Sequence, residues 1–219
     1  MQRRTYYLKF LSLTLCLFFS TASFSWELEY DKDGIQIFTQ TIEGSSFKAF
    51  RGTVTADTHL LNVMAHHADL EAMTEWLQDC QKSELLSQHE GTHFYIYQQT
   101  SAPWPVSDRD YVLHMQIDQD QLNFVITINF EATQAVKKAD KDCVPITELR
   151  GYWRFTPIET NKVFIEYQTS ADPAGDIPAW LANSFVIDQP LGTLKKLKQR
   201  VESKEYTLPA ALSYIKAPE

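Results

Sequence analysis

The segment from His89 to His93 could do metal chemistry, because it has the spacing H-E-x-x-H. On a helix, this spacing places two imidazoles on one face, where they bind zinc while the glutamate acts as a base on a metal-bound water. Here Gly91 interrupts the segment, and the residues on both sides have the composition of β-strands. The sequence therefore predicts a hairpin turn rather than a zinc site. The neighbouring pair His66 and His67 is interpreted as the end of a helix.

Other catalytic patterns are missing from the sequence. It contains no G-x-S-x-G motif, no phosphate-binding P-loop and no dinucleotide fingerprint. A triad of serine, histidine and aspartate needs no proximity in sequence, and no residue marks one here. His114 and Glu131 are the candidates for proton transfer, but strand alternation places both on the polar face of a sheet. We therefore predict no catalytic residues, no bound metal and no cofactor.

Alternation of apolar and polar residues predicts that most of the chain forms an antiparallel sheet. It is clearest at residues 122–130 and in the neighbouring segment 111–117, so one face of the sheet is apolar. That face must be covered by another element. We expect a helical block after Asp57, and strands at residues 35–41, 47–55, 83–88, 93–101, 109–118, 121–131, 147–157 and 162–169.

The cover is predicted to be the last long element of the chain. Apolar residues recur at helical spacing from Trp180 to Val201, with Asp176 as a candidate cap and Pro178 in the first turn. Pro190 lies inside this segment, where it removes a hydrogen bond donor and favours a kink. The pattern indicates a helix of roughly seven turns lying across the apolar face.

The N-terminal residues indicate export. Three basic residues precede an apolar run from Phe10 to Phe19, and small residues follow as far as Ser25. This run is about half as long as the roughly 20 residues of a membrane-spanning helix. We predict a signal peptide at residues 1–25, cleaved after Ala22 or Ser25, and therefore an exported protein that is periplasmic or secreted.

The rest of the chain is predicted to be one domain. No repeat or linker interrupts residues 26–205, and residues 206–219 are expected to form a tail that frays. Cys80 and Cys143 are the two cysteines outside the predicted signal peptide. An exported protein can join them in a disulfide, but the sequence leaves their pairing open.

The charge of the mature chain restricts its partners. The full sequence has 20 basic and 28 acidic residues, and removing residues 1–25 takes away three basic ones and no acidic one. The remaining 17 against 28 give a formal charge of −11. Such a surface repels phosphate backbones and anionic lipid headgroups at long range. We therefore predict no nucleic-acid binding, and expect any membrane contact to be transient, local and apolar.

Three segments of the sequence resemble the START family of lipid-binding domains, and are most similar to its phosphatidylcholine transfer branch. Pro103–Val112 has the pattern P-x-P followed by R-D-Y-V, Ile177–Asn183 resembles the start of the family's lid helix, and Trp26–Phe38 resembles its opening. The resemblance implies an α+β helix-grip fold, in which a curved antiparallel sheet wraps around a long C-terminal helix. It also implies an internal apolar cavity for a lipid or sterol.

The sequence departs from the family pattern at Met115, where many members carry a buried arginine that meets the ligand's polar head. Burying an unpaired charge costs several kcal/mol, so methionine favours a less polar ligand or a headgroup held elsewhere. Arg109 and Asp110 of the motif are expected to form an ion pair. The residues expected to line the cavity are Met115, Phe124, Ile126, Ile128, Trp153, Tyr167, Trp180, Leu181 and Phe185.

These observations favour a monomeric protein that binds, and transfers, a hydrophobic ligand and is not an enzyme. Phospholipid, sterol and fatty acyl chain all remain open as ligands. One alternative is a helix-grip enzyme of the cyclase or aromatase type. The other is an interaction module that binds lipid in order to report it.

Overall fold

A computed structural model describes residues 25–136, 138–175 and 177–218. Residues 1–24 of the predicted signal peptide and the predicted helix cap Asp176 therefore lie outside the described residues. The described strands are β1 (Glu27–Lys32), β2 (Ile35–Thr41), β3 (Lys48–Ala56), β4 (Cys80–His89), β5 (His93–Thr100), β6 (Arg109–Gln119), β7 (Ile126–Ala132), β8 (Val144–Pro145), β9 (Glu148–Glu159) and β10 (Lys162–Asp172). They form one sheet in the order β1-β2-β3-β10-β9-β7-β6-β5-β4, with β8 paired in parallel to β6. The antiparallel sheet is confirmed.

The connection between β4 and β5 is the predicted hairpin. His89 and His93 face each other across the two strands, and the turn between them contains Glu90 at φ 53° and Gly91 at φ 72°. Both residues are in the left-handed region, which glycine adopts without strain. The two histidines of the H-E-x-x-H segment therefore end one strand and begin the next, and do not share a helix face.

Strand β7 is shorter than predicted, because the chain turns between residues 120 and 125. The side chains of Asp120 and Asn123 accept hydrogen bonds from the backbone N–H groups of Leu122 and Val125, at 2.8 and 3.0 Å. Such local bonds compete with strand pairing. Leu122 is left 93% exposed and Phe124 takes a positive φ of 61°. The prediction of a strand beginning at residue 121 is therefore wrong.

Helix α3 (Ala179–Ser203) covers the apolar face of the sheet, as predicted, and contains Pro190. Its second half is the better buried, with Leu194, Leu197 and Val201 all in the core. Gly52 on β3 permits the close approach, because a Cβ atom there would lie 2.6 Å from the Cδ1 of Leu194. This packing of helix into curved sheet is the helix-grip arrangement.

Two helices connect β3 to β4 and close one side of the fold. They are α1 (Leu60–Ala68) and α2 (Met73–Trp76). Helix α1 begins after His59, whose Nδ1 accepts a hydrogen bond from the backbone N–H of Asn62 at 3.1 Å. The side-chain amide of Asn62 donates to the carbonyls of Val201 and Lys204, at 2.9 and 3.2 Å. The C-terminal end of α3 is thereby fixed against α1.

The C-terminal tail packs against the sheet, which corrects the expectation that it frays. Leu212 and Ile215 are buried in the core. Gln119 at the end of β6 accepts a hydrogen bond from the backbone N–H of Lys216 at 2.9 Å and donates to its carbonyl at 2.7 Å. Within the described residues, none of the helices has the length and apolar character that crossing a membrane requires.

Candidate functional site

A cavity of about 240 Å³ lies between the inner face of the sheet and helices α2 and α3. Most of its wall is hydrocarbon or aromatic. The apolar and aromatic residues of the wall include Phe47, Phe50, Met73, Trp76, Leu77, Tyr111, Leu113, Met115, Phe130, Leu149, Trp153, Tyr167, Ile177, Phe185 and Val186. A site of this kind binds a ligand mainly by removing apolar surface from water.

One end of the cavity is closed by aromatic rings. Trp153 and Tyr167 stack with their centroids 3.9 Å apart, and Trp76 meets Trp153 edge-on at 5.9 Å. The imidazole of His67 lies 5.5 Å from the Trp153 ring. Beyond them, the next inward-facing residue of β9 is Phe155, which belongs to the core and not to the wall. We call His67, Trp76, Trp153 and Tyr167 the cavity floor.

His67 is a buried, neutral histidine. It is 4% exposed, and burial lowers its pKa to about 3. The described residues offer its Nε2 no hydrogen bond partner, and the same holds for Nε1 of Trp76. A buried polar atom without a partner is unusual in folded proteins. The cavity floor therefore carries polar atoms that the protein itself does not satisfy.

The other polar groups of the wall are uncharged as well. Burial raises the pKa of Tyr167, and its phenol accepts a hydrogen bond from Nε2 of Gln189 at 3.4 Å. Burial also raises the pKa of Tyr111, whose hydroxyl lies 3.0 Å from that of Thr100. Both phenols thus stay protonated at neutral pH and contribute no charge to the cavity.

Two of the charged residues on the wall have polar partners within the protein. Lys48 lies 3.3 Å from the carboxylate of Glu29, and Asp79 accepts a hydrogen bond from the side chain of Gln78 at 2.7 Å. Met115 is 5% exposed on the wall, where the family pattern often has arginine. Arg109 is the remaining charged residue of the described wall.

Arg109 and Asp110 serve different structural roles, which corrects the predicted ion pair. Neighbouring residues of a strand point to opposite faces, so Arg109 faces the cavity and Asp110 the outer side. The Arg109 guanidinium donates to the carbonyls of Pro173 and Ala174, both at 3.0 Å, and to that of Ser107. Arg109 thus holds the loop that leads into α3.

Asp110 is buried on the outer side of β6. Its carboxylate accepts hydrogen bonds from the Tyr97 hydroxyl at 3.0 Å and from the backbone N–H of Asp140 at 2.6 Å. It therefore fixes the loop before β8 rather than the ligand site. Cys143 in the same loop and Cys80 on β4 are both free thiols.

The opposite end of the cavity is its mouth, formed by the loop between β5 and β6 and the start of α3. Pro103, Val106 and Ile177 line it. Asn183 closes one side, because its side chain accepts a hydrogen bond from the backbone N–H of Lys48 at 3.0 Å and donates to the carbonyl of Ser46 at 3.2 Å. The Asn183 side chain thus links the lid helix to the hairpin between β2 and β3.

Two tryptophans next to the mouth point away from the protein. Trp104 lies in the loop between β5 and β6 and is 93% exposed, and Trp180 in the first turn of α3 is 74% exposed. Large aromatic side chains are normally among the more buried residues. Trp104 is therefore not buried in the fold as an anchor of its loop.

Of the nine residues predicted to line the cavity, four do so: Met115, Trp153, Tyr167 and Phe185. Their contact with a ligand stays a prediction. The remaining five are absent from the described wall, so their assignment to it is corrected. Ile126 and Ile128 lie in the core beyond the floor, and Phe124 packs on the core beside the turn before β7. On α3, Leu181 is half-buried and Trp180 is exposed.

The fold and this wall define a helix-grip protein with an apolar cavity. The sequence model of the START domain matches residues 21–206, so the chain belongs to the START family. The predicted family is confirmed.

Relatives cover most of the chain. An uncharacterized protein of Pseudomonas aeruginosa is 32% identical over 179 residues, which are 82% of this chain and 88% of that protein. The mouse phosphatidylcholine transfer protein is 25% identical over 171 residues, covering 72% of this chain and 75% of its own. The structure of a STAR-related lipid transfer protein from Xanthomonas axonopodis has 36% identity and a TM-score of 0.74, covering 81% of this chain and 99% of the other.

Proposed function

We propose that the protein binds one lipid or sterol in the cavity and carries it between membranes. The observation that carries this proposal is the apolar cavity with a floor, a mouth and a lid helix. Each methylene group that leaves water for such a site contributes about 0.8 kcal/mol. Relative to a membrane this gain nearly vanishes, so the cavity serves to shield the lipid on its way through water. Similarity to lipid transfer proteins supports the same function.

The lid helix is the element that must move to admit a ligand. Its first half is tied down by Asn183 and by the loop that Arg109 holds, whereas its second half is fixed in the core. Opening the mouth therefore breaks a small set of hydrogen bonds and leaves the core intact. Loops and helix ends with few buried contacts are the parts of a protein that open most easily.

We propose that Trp104 and Trp180 make the membrane contact. Both indoles are exposed beside the mouth, and tryptophan favours the interface between lipid and water. Replacing both by serine is expected to slow lipid transfer between vesicles by at least about tenfold, since burying even one such side chain contributes on the order of 1.5–3 kcal/mol. Binding of lipid in solution should change by less than about twofold, because neither indole lies on the described wall.

The measurement uses phosphatidylcholine vesicles that carry a fluorescent phosphatidylcholine, sterol or fatty acid. Leu122→Ser is the matched control, because Leu122 is equally exposed but lies beyond the end of β6 that is far from the mouth. It should leave the transfer rate unchanged. Binding without transfer by the unaltered protein would favour the lipid-reporting module. Failure to accelerate transfer of any of the three lipids contradicts the carrier function.

No specific observation favours an enzyme. His114 and Glu131, the candidates for proton transfer, lie 3.9 Å apart on the two neighbouring strands β6 and β7. Neither is part of the described wall, and their strand positions place them on the outer face. We therefore assign the protein a carrier function rather than a cyclase or aromatase activity.

We also propose that the protein is exported and acts as a monomer. Export is inferred from the order of basic, apolar and small residues within residues 1–25. The monomeric state is inferred because a carrier needs only one cavity and one mouth to bind and release its ligand. Subcellular fractionation of the native host, probed for the mature N-terminus, is the direct measurement. A chain that keeps residues 1–25 and stays in the cytoplasm contradicts export.

A further inference from the structure

The apolar cavity continues into a polar groove at one side of its mouth. Strand β3 pairs with β10 only as far as Phe50 and Thr169, although the hairpin between β2 and β3 extends to Thr41 and Lys48. Strand β10 continues alongside β9 as far as Asp172. The hairpin and the end of β10 therefore separate, and a groove of about 770 Å³ opens beside them. We call it the hairpin groove, and it is lined by Ile42, Gly44–Phe47, Glu131, Ala132, Thr147–Arg150, Ser170–Asp172 and Ile177.

The hairpin groove and the cavity share an apolar rim, so one molecule can occupy both. The rim consists of the residues that line both spaces, which are Phe47, Leu149, Ala171 and Ile177. Beyond the rim the groove is polar, with hydroxyl groups on Ser45, Ser46, Thr147 and Ser170. These four residues are exposed or half-buried, so a ligand can reach them. An apolar cavity that adjoins a polar groove matches a molecule with an apolar chain and a polar head.

The volume of the cavity limits how much hydrocarbon it can hold. The cavity measures about 240 Å³. An apolar cavity of about 150 Å³ holds benzene, so by proportion this one holds about ten carbon atoms. That amount corresponds to a single chain of medium length. A diacyl phospholipid or a sterol contains more carbon than this, and part of its hydrocarbon would remain in water.

The charges of the hairpin groove disfavour an anionic head. In its described part, the carboxylates of Glu131, Glu148 and Asp172 stand against the guanidinium of Arg150. Like charges repel, and the predicted mature chain also carries an excess of negative charge. All four groups are exposed to water, so their effect on affinity is a small factor rather than exclusion.

We propose that the ligand is a single-chain amphiphile, with a chain of about ten carbons in the cavity and a polar, non-anionic head in the hairpin groove. This inference rests on the proposed function, because it requires that a lipid enters the cavity. The chain points toward the floor, and the head remains in contact with water at the groove. The lid helix therefore shields only the chain during transfer.

The first test measures the length of chain that the cavity accepts. Monoacylglycerols from hexanoyl to tetradecanoyl are titrated calorimetrically into the whole protein, below the concentrations at which they form micelles. Affinity should rise about fourfold with each methylene as far as decanoyl, and by less than about 1.5-fold for each one beyond it. Didecanoylglycerol should bind no more tightly than decanoylglycerol. A steady rise to tetradecanoyl, or tenfold tighter binding of the two-chain compound, overturns the proposal.

The second test changes the volume of the cavity. Phe130→Ala removes a ring from the wall, and so the longest chain that still gains affinity should increase from decanoyl to at least dodecanoyl. Ile128→Ala is the matched control, because Ile128 lies on the same strand and in the core but not on the described wall. It should keep the limit at decanoyl. Met73→Ala, on the wall from helix α2, provides the same test if Phe130→Ala does not fold. An unchanged limit in the folded wall variant contradicts the assignment.

The third test locates the head. Decanoate should bind about fivefold more weakly than decanoylglycerol, because its carboxylate meets the excess negative charge of the groove. Glu148→Lys should reduce this difference by about twofold to fivefold. Glu159→Lys reverses the charge of an exposed carboxylate at the other end of β9, and should leave the difference unchanged. Tighter binding of decanoate, or the same difference in both variants, shows that the head does not lie in the hairpin groove.

The outcomes separate this inference from the carrier function. If fluorescent lipids move between vesicles but affinity shows no limit of chain length, the carrier function stands and the single-chain assignment is wrong. If no monoacylglycerol binds and no lipid is transferred, both are wrong. Thermal unfolding of each variant shows whether a changed limit reflects lost folding.

Discussion

Replacing Met115 with arginine is expected to lower the free energy of unfolding by about 3–5 kcal/mol at neutral pH. Met115 is 5% exposed on the cavity wall, where it pairs across the sheet with Phe94 and Phe130. Arginine keeps its charge at any physiological pH. Among the described residues of the wall the only carboxylate belongs to Asp79, which Gln78 already engages. The new charge would therefore be buried without a partner.

The same substitution is expected to abolish uptake of an uncharged ligand, because the guanidinium occupies the cavity and draws water into it. Urea unfolding and titration with decan-1-ol measure the two effects. Met115→Leu is the matched control, since a hydrophobic exchange of similar volume costs less than about 1.5 kcal/mol. If Met115→Arg unfolds at the same urea concentration as Met115→Leu, then Met115 does not face a dry cavity, and its place in the ligand site is wrong.

The second large effect is acid destabilisation through the buried histidines of α1. The pKa of His67 is lowered to about 3 by burial, and burial also lowers the pKa of His66, opposed by its hydrogen bond to the Lys204 carbonyl. Below the ordinary histidine pKa of about 6.5, the unfolded chain binds protons that the folded protein excludes. Stability is therefore complete above pH 6.5 and falls as the pH decreases toward 3.

The expected loss from His67 alone is about 2 kcal/mol between pH 6.5 and pH 5, since each pH unit contributes about 1.4 kcal/mol. Urea unfolding across this interval measures it, above the range in which most carboxylates titrate. His67→Phe should remove this part of the pH dependence, whereas His89→Ala at the exposed hairpin should retain it. Equal slopes for His67→Phe and the unaltered protein would show that His67 is not buried as a neutral ring.

Sequence periodicity predicted the main elements because one face of each is buried. The alternation in β6 and the helical spacing in α3 both reflect contact with a single core, and both elements are confirmed. Alternation gave a wrong prediction of a strand at residues 121–125. Leu122 and Phe124 continue the apolar alternation there, but hydrogen bonds to the side chains of Asp120 and Asn123 turn the chain. Local hydrogen bonds of short polar side chains therefore prevailed over the apolar pattern.

The site was predicted less completely, because periodicity assigns a residue to a face but not to a position along it. Ile128 and Trp153 are direct partners on the same face of neighbouring strands, yet the first lies in the core and the second on the cavity floor. His67 was predicted only as part of a helix end. Its role at the floor depends on contacts with Trp76, which lies in the next helix, and with Trp153, which is distant in sequence.

The central claim is that the cavity holds one lipid, and native mass spectrometry with organic extraction tests it most directly. The protein should be expressed with all its residues and recovered from its own host without refolding. We expect one co-purifying lipid per chain. A protein that is empty, and that stays empty when offered phospholipids, sterols, fatty acids and fatty alcohols, would contradict the account.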